Sequence, residues 1–342
     1  MYDASTNGRR RTKEEKDVII VGAGPAGLSA AIFAQLDGWS TLVLEANWVG
    51  GQGAIAYTVN SYPGFPPGDG EVLMNYMEKQ VTSPPPAGIG AELKHEKVTG
   101  LDAKNLVVTT EANQYQAKAI IFATGSTMQK LGVPGEDKFV GKGVSYYAKR
   151  DYNQFSGKRV LVVGGGNSTA KSALVAKGEA SEIMLVHRRE SLRAYPAMTK
   201  RLQKEGIKIW YNTEVKEIRG SNRVEAAVVV NNKTAEQKEI AIDWVIICVG
   251  TEPNTELAQE AGIEMEGKFI KVDSQMRTNN EGIFACGEIT PGHRHLITSA
   301  SEGASAGMAA SEYLALQMVK KGEMFEGARN GKYAGEYLAM LR

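Results

Sequence analysis

Two stretches of the chain carry the same alternation of apolar runs and glycine breaks. Asp17-Val18-Ile19-Ile20-Val21 is an apolar run behind one acid, interrupted by Gly22-Ala23-Gly24-Pro25-Ala26-Gly27. Leu28-Ser29-Ala30-Ala31-Ile32-Phe33-Ala34 has the small and apolar residues of a packed helix, and Thr41-Leu42-Val43-Leu44 is a second run that ends at Glu45. The pattern predicts strand, turn, helix, strand. It returns with Arg159-Val160-Leu161-Val162-Val163, Gly164-Gly165-Gly166-Asn167-Ser168-Thr169, an alanine-rich helix and the run Ile183-Met184-Leu185-Val186. Two later runs, Ala119 to Gly125 and Trp244 to Gly250, are apolar throughout and end in glycine. Such runs fit parallel strands covered on both faces.

An α/β chain with two Rossmann-like dinucleotide-binding units follows. Crossings between the units are expected near Ser126-Met128 and Thr251-Thr255. Gly282-Ile283-Phe284-Ala285-Cys286-Gly287-Glu288 reads as a strand returning to complete the first unit, so the second unit is an insertion. The expected bounds are 17–126 with 254–342 for the first unit and 127–253 for the second. Residues 1–16, polar and rich in Arg, Lys and Glu, read as a flexible tail.

The glycine turns carry the chemistry. Gly22 permits the bend, Gly24 lets backbone amides approach a pyrophosphate, and Gly27 lets helix and strand pack closely, with the helix N-terminus facing the phosphate charge. Glu45 follows Gly22 by 23 residues, where a carboxylate accepts hydrogen bonds from a ribose diol. The same count from Gly164 reaches His187, followed by Arg188, Arg189 and Arg193. A carboxylate there would repel a 2′-phosphate, whereas guanidinium groups clasp it. The second site therefore reads as one for NADPH, with NADH a possible donor. Thr169 stands at the third small position, where its methyl and hydroxyl are expected to loosen the helix packing.

Composition narrows the picture. Lys plus Arg (40) nearly balance Asp plus Glu (39), so no global field draws the chain to nucleic acid or an acidic membrane. No apolar run is long enough to cross a bilayer, and the N-terminal stretch lacks the apolar core of a secretory signal. Two cysteines, Cys248 and Cys286, agree with a reducing, cytoplasmic setting. His293 and His295 have no neighbouring acid or cysteine to complete a metal site, and none is expected.

With these residues in view, the chain resembles the low-molecular-weight thioredoxin reductases over nearly its whole length. The turn Gly22-Ala23-Gly24-Pro25-Ala26-Gly27, the step Gly50-Gly51-Gln52 and Ala123-Thr124-Gly125 are similar to the family's FAD contacts. Gly164-Gly165-Gly166-Asn167 with Ser168, and His187-Arg188-Arg189 through Arg193, resemble its NADPH signature. Gly287-Glu288 takes the place of a Gly-Asp pair that holds the ribityl chain, and Arg294-His295-Leu296 begins the stretch beside the isoalloxazine ring. The resemblance implies two three-layer (ββα) domains, FAD and NADPH as cofactors, a homodimer, and a rotating NADPH domain. It also implies a redox Cys-x-x-Cys pair before the second glycine turn, and here the chain departs. Tyr147 and Arg150 occupy those places, and neither forms a disulfide.

The acceptor is therefore open. Dioxygen, giving hydrogen peroxide, is one expectation, and a one-electron carrier such as ferredoxin is another. Some thioredoxin-reductase-like ferredoxin–NADP reductases carry a C-terminal extension that covers the flavin. Here the last 28 residues, after Leu314, include Phe325, Tyr333 and Tyr337. Disulfide reduction through Cys286 and a non-catalytic flavin-binding sensor complete the alternatives.

Overall fold

The computed structural model describes residues 13–322. The chain divides into two compact units, one made of the residues up to Ser126 with those from Pro253 onward, the other of Thr127–Glu252.

In the first unit the run that begins at Val18 lies in the strand Lys13–Val21, flanked by Thr41–Leu44 and Gln114–Phe122 in parallel register. Glu92–Lys94 extends the sheet beyond Thr41–Leu44, and Ile283–Ala285 joins Gln114–Phe122 in parallel. The strand period of two sends Val18 and Ile20 to one face and Ile19 and Val21 to the other. On the first face they pack with helices Pro25–Leu36, Gly70–Thr82 and Leu296–Lys320. On the second they meet Val108, Leu101 and Tyr115 of the antiparallel meander Val98–Asp102, Val107–Thr110 and Gln114–Phe122. Meander, parallel sheet and helices make the three layers.

The second unit repeats the plan. Its parallel sheet runs in the order Lys208–Trp210, Glu182–Val186, Arg159–Gly164, Trp244–Cys248, Val144–Ser145. Helices Asn167–Ala176 and Pro196–Lys204 cover one face through Val160, Val162, Leu185 and Ile246, each fully buried. The other face packs on the antiparallel sheet Thr213–Arg219, Ala226–Asn231, Gln237–Ala241.

The expected tail of residues 1–16 ends earlier than its polarity suggested. Lys13–Lys16 already pair with Gln114–Ala117. Two of these charges are matched: Lys16 meets Glu92 at 2.6 Å and Glu14 meets Lys94 at 2.7 Å. A polar stretch with a ladder and opposite charges opposite it needs no apolar face to be a strand. Phe325, Tyr333 and Tyr337 lie outside the described residues.

Candidate functional site

Crowding explains the first glycine turn. Gly22 has φ +109°, and a Cβ there would stand 2.3 Å from the Ala123 carbonyl oxygen; one on Gly27 would meet the Gly22 oxygen at 1.9 Å. Around Gly24, by contrast, no atom lies within 4 Å of a Cβ position. Pro25 and Ala26 then open the helix, so its free amides face that clear space. Glu45 is buried, and its two oxygens accept from the Ala23 and Asn47 amides, both at 2.8 Å. Each oxygen keeps a second lone pair, so the carboxylate both locks the turn and retains capacity for a ribose.

Other predicted FAD contacts gather around this turn. The Gly50 amide donates to the Ala23 carbonyl at 2.8 Å, and a Gly51 Cβ would touch the Gly24 Cα at 3.6 Å. Gln52 reaches Ser126 and Glu288. The Thr124 hydroxyl donates to the Asn254 carbonyl at 2.6 Å, and the Gly125 carbonyl accepts from the Asn254 amide. Gly287 presses on Ala26, and its amide donates to Glu302 at 2.7 Å. Burial of the Glu302 carboxyl pushes its pKa up. Arg294 and His295 are exposed, with the Arg294 guanidinium 5.0 Å over the Phe269 ring, while Leu296 packs beside Gly53.

The second turn has the same division of labour. A Cβ on Gly164 would meet the Cys248 carbonyl at 2.2 Å, and around Gly166 the space is clear. Asn167 accepts from the Tyr195 amide, and Ser168 is exposed on the first helical turn. The Gly165 carbonyl accepts from the Arg193 and Ala194 amides at 2.7 and 3.1 Å, tying the arginine loop to the glycine turn. Thr169 corrects the sequence expectation. It is buried, and its hydroxyl donates to the Cys248 carbonyl at 3.1 Å and accepts from the Gly166 amide, so it stitches the helix to the sheet.

A cavity of about 340 Å³ opens beside this turn, lined in part by Gly164, Gly165, His187, Arg188 and Arg193. Arg189 is exposed and does not line it. No carboxylate among the described residues forms an ion pair with Arg188, Arg189 or Arg193; nearby Glu190 pairs with Lys233 instead. His187 is 4% exposed and lies under Gly165, where a Cβ would strike its ring at 2.1 Å. Its buried Nε2 has no hydrogen-bond partner among the described residues. Burial first, and then the fields of Arg193, Arg189 and Arg188, push His187 below the usual imidazole range against a backbone bond to Ser191. The guanidiniums of Arg188 and Arg193, neither in an ion pair, and an orphaned buried nitrogen beside an open turn suit a phosphorylated dinucleotide. Thr213 and Lys216 line the same cavity from the second sheet, where no motif marks them.

Sulfur chemistry is poorly served. The Arg150 guanidinium lies 6.0 Å from the centre of the half-buried Tyr147 ring, and the Arg150 amide donates to the Tyr147 carbonyl at 3.0 Å. Cys286, the expected alternative thiol, is 0% exposed, and burial pushes its pKa far up. Disulfide reduction through Cys286 is therefore disfavoured: the thiol is sealed from solvent, and its burial opposes the thiolate that exchange needs. Burial raises Cys248 to about 11.

The sequence signature of the pyridine nucleotide-disulphide oxidoreductases matches residues 16–307, and the chain belongs to that family. Within it, the chain is 38% identical over 303 residues to a thioredoxin reductase of Treponema pallidum, covering 87% of this chain and 97% of that one. It is 34% identical to a ferredoxin–NADP reductase of Ignicoccus hospitalis, covering 87% and 98%. The thioredoxin reductase structure from Lactococcus lactis shares the fold with a TM-score of 0.83 at 33% identity, covering 88% and 99%. The protein is thus a thioredoxin-reductase-like flavoprotein oxidoreductase, and its cofactors are FAD and NADPH.

Proposed function

We propose that this chain takes hydride from NADPH and delivers the electrons to an acceptor other than a dithiol, with dioxygen the first candidate and hydrogen peroxide the product. The observation that carries the reading is the placement of sulfur. Tyr147 and Arg150 stand where the resemblance puts the thiols, and Cys286 is sealed in the core. When bound, FAD supplies the two-electron chemistry, accepting hydride and passing electrons on. Arg188 and Arg193 would bind the 2′-phosphate, and the Asn167 and Ser168 amides at the helix start would meet the pyrophosphate, the Gly166 amide being taken by Thr169. Gly24, Gly51 and Glu45 hold the FAD dinucleotide. NADPH, a proton and dioxygen then balance to NADP⁺ and hydrogen peroxide.

A ferredoxin acceptor is the second reading, favoured by the name of the Ignicoccus hospitalis relative. The active species is read as a homodimer, and exposed Val72 and Tyr76 on helix Gly70–Thr82 offer apolar surface to a second copy. The test is anaerobic mixing of FAD-loaded protein with NADPH, followed at the flavin band, then admission of air or of ferredoxin. Bleaching, recovery in air and peroxide equal to NADPH consumed support the oxidase. Faster recovery with ferredoxin selects the second reading. A band that never bleaches overturns both and leaves a flavin-binding sensor.

A further inference from the structure

Three of the turns around the FAD site meet in one polar ring that no single motif contains. Gln52 follows Gly51, Ser126 follows Gly125, and Glu288 follows Gly287. The Ser126 hydroxyl donates its one hydrogen to Glu288 Oε2. It accepts from Gln52 Nε2 at 2.6 Å, and the same amide donates to the Ser126 carbonyl at 2.8 Å and reaches Glu288 Oε2 at 3.4 Å. All three side chains are half-buried. The amide has two hydrogens and its two short contacts are both to Ser126, so the Ser126 hydroxyl is the principal donor to Glu288 Oε2 and Gln52 holds that hydroxyl in place. Glu288 Oε1 accepts no hydrogen bond and no cation pairs with this carboxylate among the described residues.

That asymmetry has a chemical meaning. A glutamate is one methylene longer than the aspartate the family resemblance implies here, and its extra torsion lets the carboxylate swing. Fixing Oε2 with a neutral hydroxyl donor restrains the swing without cancelling the charge. The free oxygen is then a preorganised acceptor for hydroxyl donors, the chemistry of a polyol chain.

We infer that Ser126 is a positioning residue for FAD: it tethers Glu288, with Gln52 as the brace, so that the remaining oxygen is held for the ribityl hydroxyls. The inference rests on FAD binding in this unit and is independent of the acceptor. It makes Ser126 and Glu288 one functional pair, although 162 residues separate them.

The experiment is release of FAD from diluted holoprotein, followed by recovery of flavin fluorescence, in wild type, S126A, S126T, E288Q and S126A/E288Q. S126A is expected to speed release about tenfold, whereas in the E288Q background the same change has less than about a threefold effect, the non-additivity expected of residues that act through one contact. S126T, which keeps the hydroxyl, restores release to near the wild-type rate. Thermal midpoints measured alongside remain within a few degrees, since a serine-to-alanine change at a half-buried site removes little packing. Unchanged release in S126A, additive effects in the double variant, or S126T releasing like S126A would each overturn the inference. Failure of NADPH to bleach wild-type flavin would sink the proposed function instead, because flavin release needs no coenzyme.

Discussion

Removing the unpaired guanidiniums should separate NADPH from NADH. Arg188 and Arg193 line the coenzyme cavity without a carboxylate partner among the described residues. A hydrogen bond to a charged group contributes about 1.5–3 kcal/mol, and about 1.4 kcal/mol is tenfold in an equilibrium constant. Each arginine is exposed, so solvent and salt hold its contribution near the low end, roughly tenfold. Arg188→Ala and Arg193→Ala are each expected to lower kcat/KM for NADPH about tenfold, and the double variant about a hundredfold, if the two contacts add. NADH has no 2′-phosphate to lose, and its kcat/KM should change by less than about threefold, since only the phosphate contact is removed. Anaerobic stopped-flow measurement of flavin bleaching over a range of each coenzyme gives both numbers. Raising the salt should erode the NADPH preference of the wild type and leave that of the double variant flat. A parallel fall for both coenzymes would refute the reasoning, because it would mean that the arginines support the fold or the pyrophosphate.

Further expectations concern stability and reactivity. Gly303→Ala places a methyl 2.0 Å from the Ala26 carbonyl oxygen; overpacking of this kind costs about 1–3 kcal/mol, and a thermal scan should show a lower midpoint and weaker flavin retention. His187 titrates below its ordinary value in the folded chain, so the unfolded state binds more protons over that window. Stability should therefore rise with pH from below the folded value up to the usual imidazole pKa and then level off, and His187→Gln should flatten that limb in urea titrations run at successive pH values. Glu302 has the opposite sign: its raised carboxyl makes the native state bind more protons, so stability falls as pH climbs from the ordinary carboxylate value through the folded one. Glu302→Gln should remove that decline. Thiol titration of the native protein should find Cys286 silent until denaturant is added, and Cys286→Ala should leave bleaching by NADPH unchanged; rapid labelling of the folded protein would contradict its burial.

What could be read in advance follows the physics of each element. The runs 18–21, 160–163 and 244–247 are buried on both faces, and such strands announce themselves without any knowledge of their neighbours. Gly22, Gly27 and Gly164 were legible for a related reason, since a Cβ at any of them collides with backbone. Lys13–Lys16 were not, because their strand depends on charges at Glu92 and Lys94 that lie far along the chain. The bulk of Thr169 points the wrong way, because its hydroxyl decides its role through a carbonyl on another strand. Arg188 and Arg193 could be placed by counting from the turn, but that they lack ion-pair partners belongs to the folded arrangement. The Gln52–Ser126–Glu288 ring was invisible for the same reason: each residue looks ordinary until three distant turns are brought together.

The interrupted first unit also sets an order of events on the ribosome. The strand Ile283–Ala285 and the Gly287–Glu288 step emerge only after all of Thr127–Glu252 has been made. Ser126 must wait 162 residues for Glu288, roughly 8–30 s at about 5–20 residues per second. The inserted coenzyme unit is complete by then, while the unit it interrupts still shows the unpaired side of Ile120–Phe122 to solvent or to a chaperone. Flavin capture is thereby postponed until Ile283–Ala285 and Glu288 have been made, and a nascent chain stalled before Ile283 would carry one finished lobe and no chromophore.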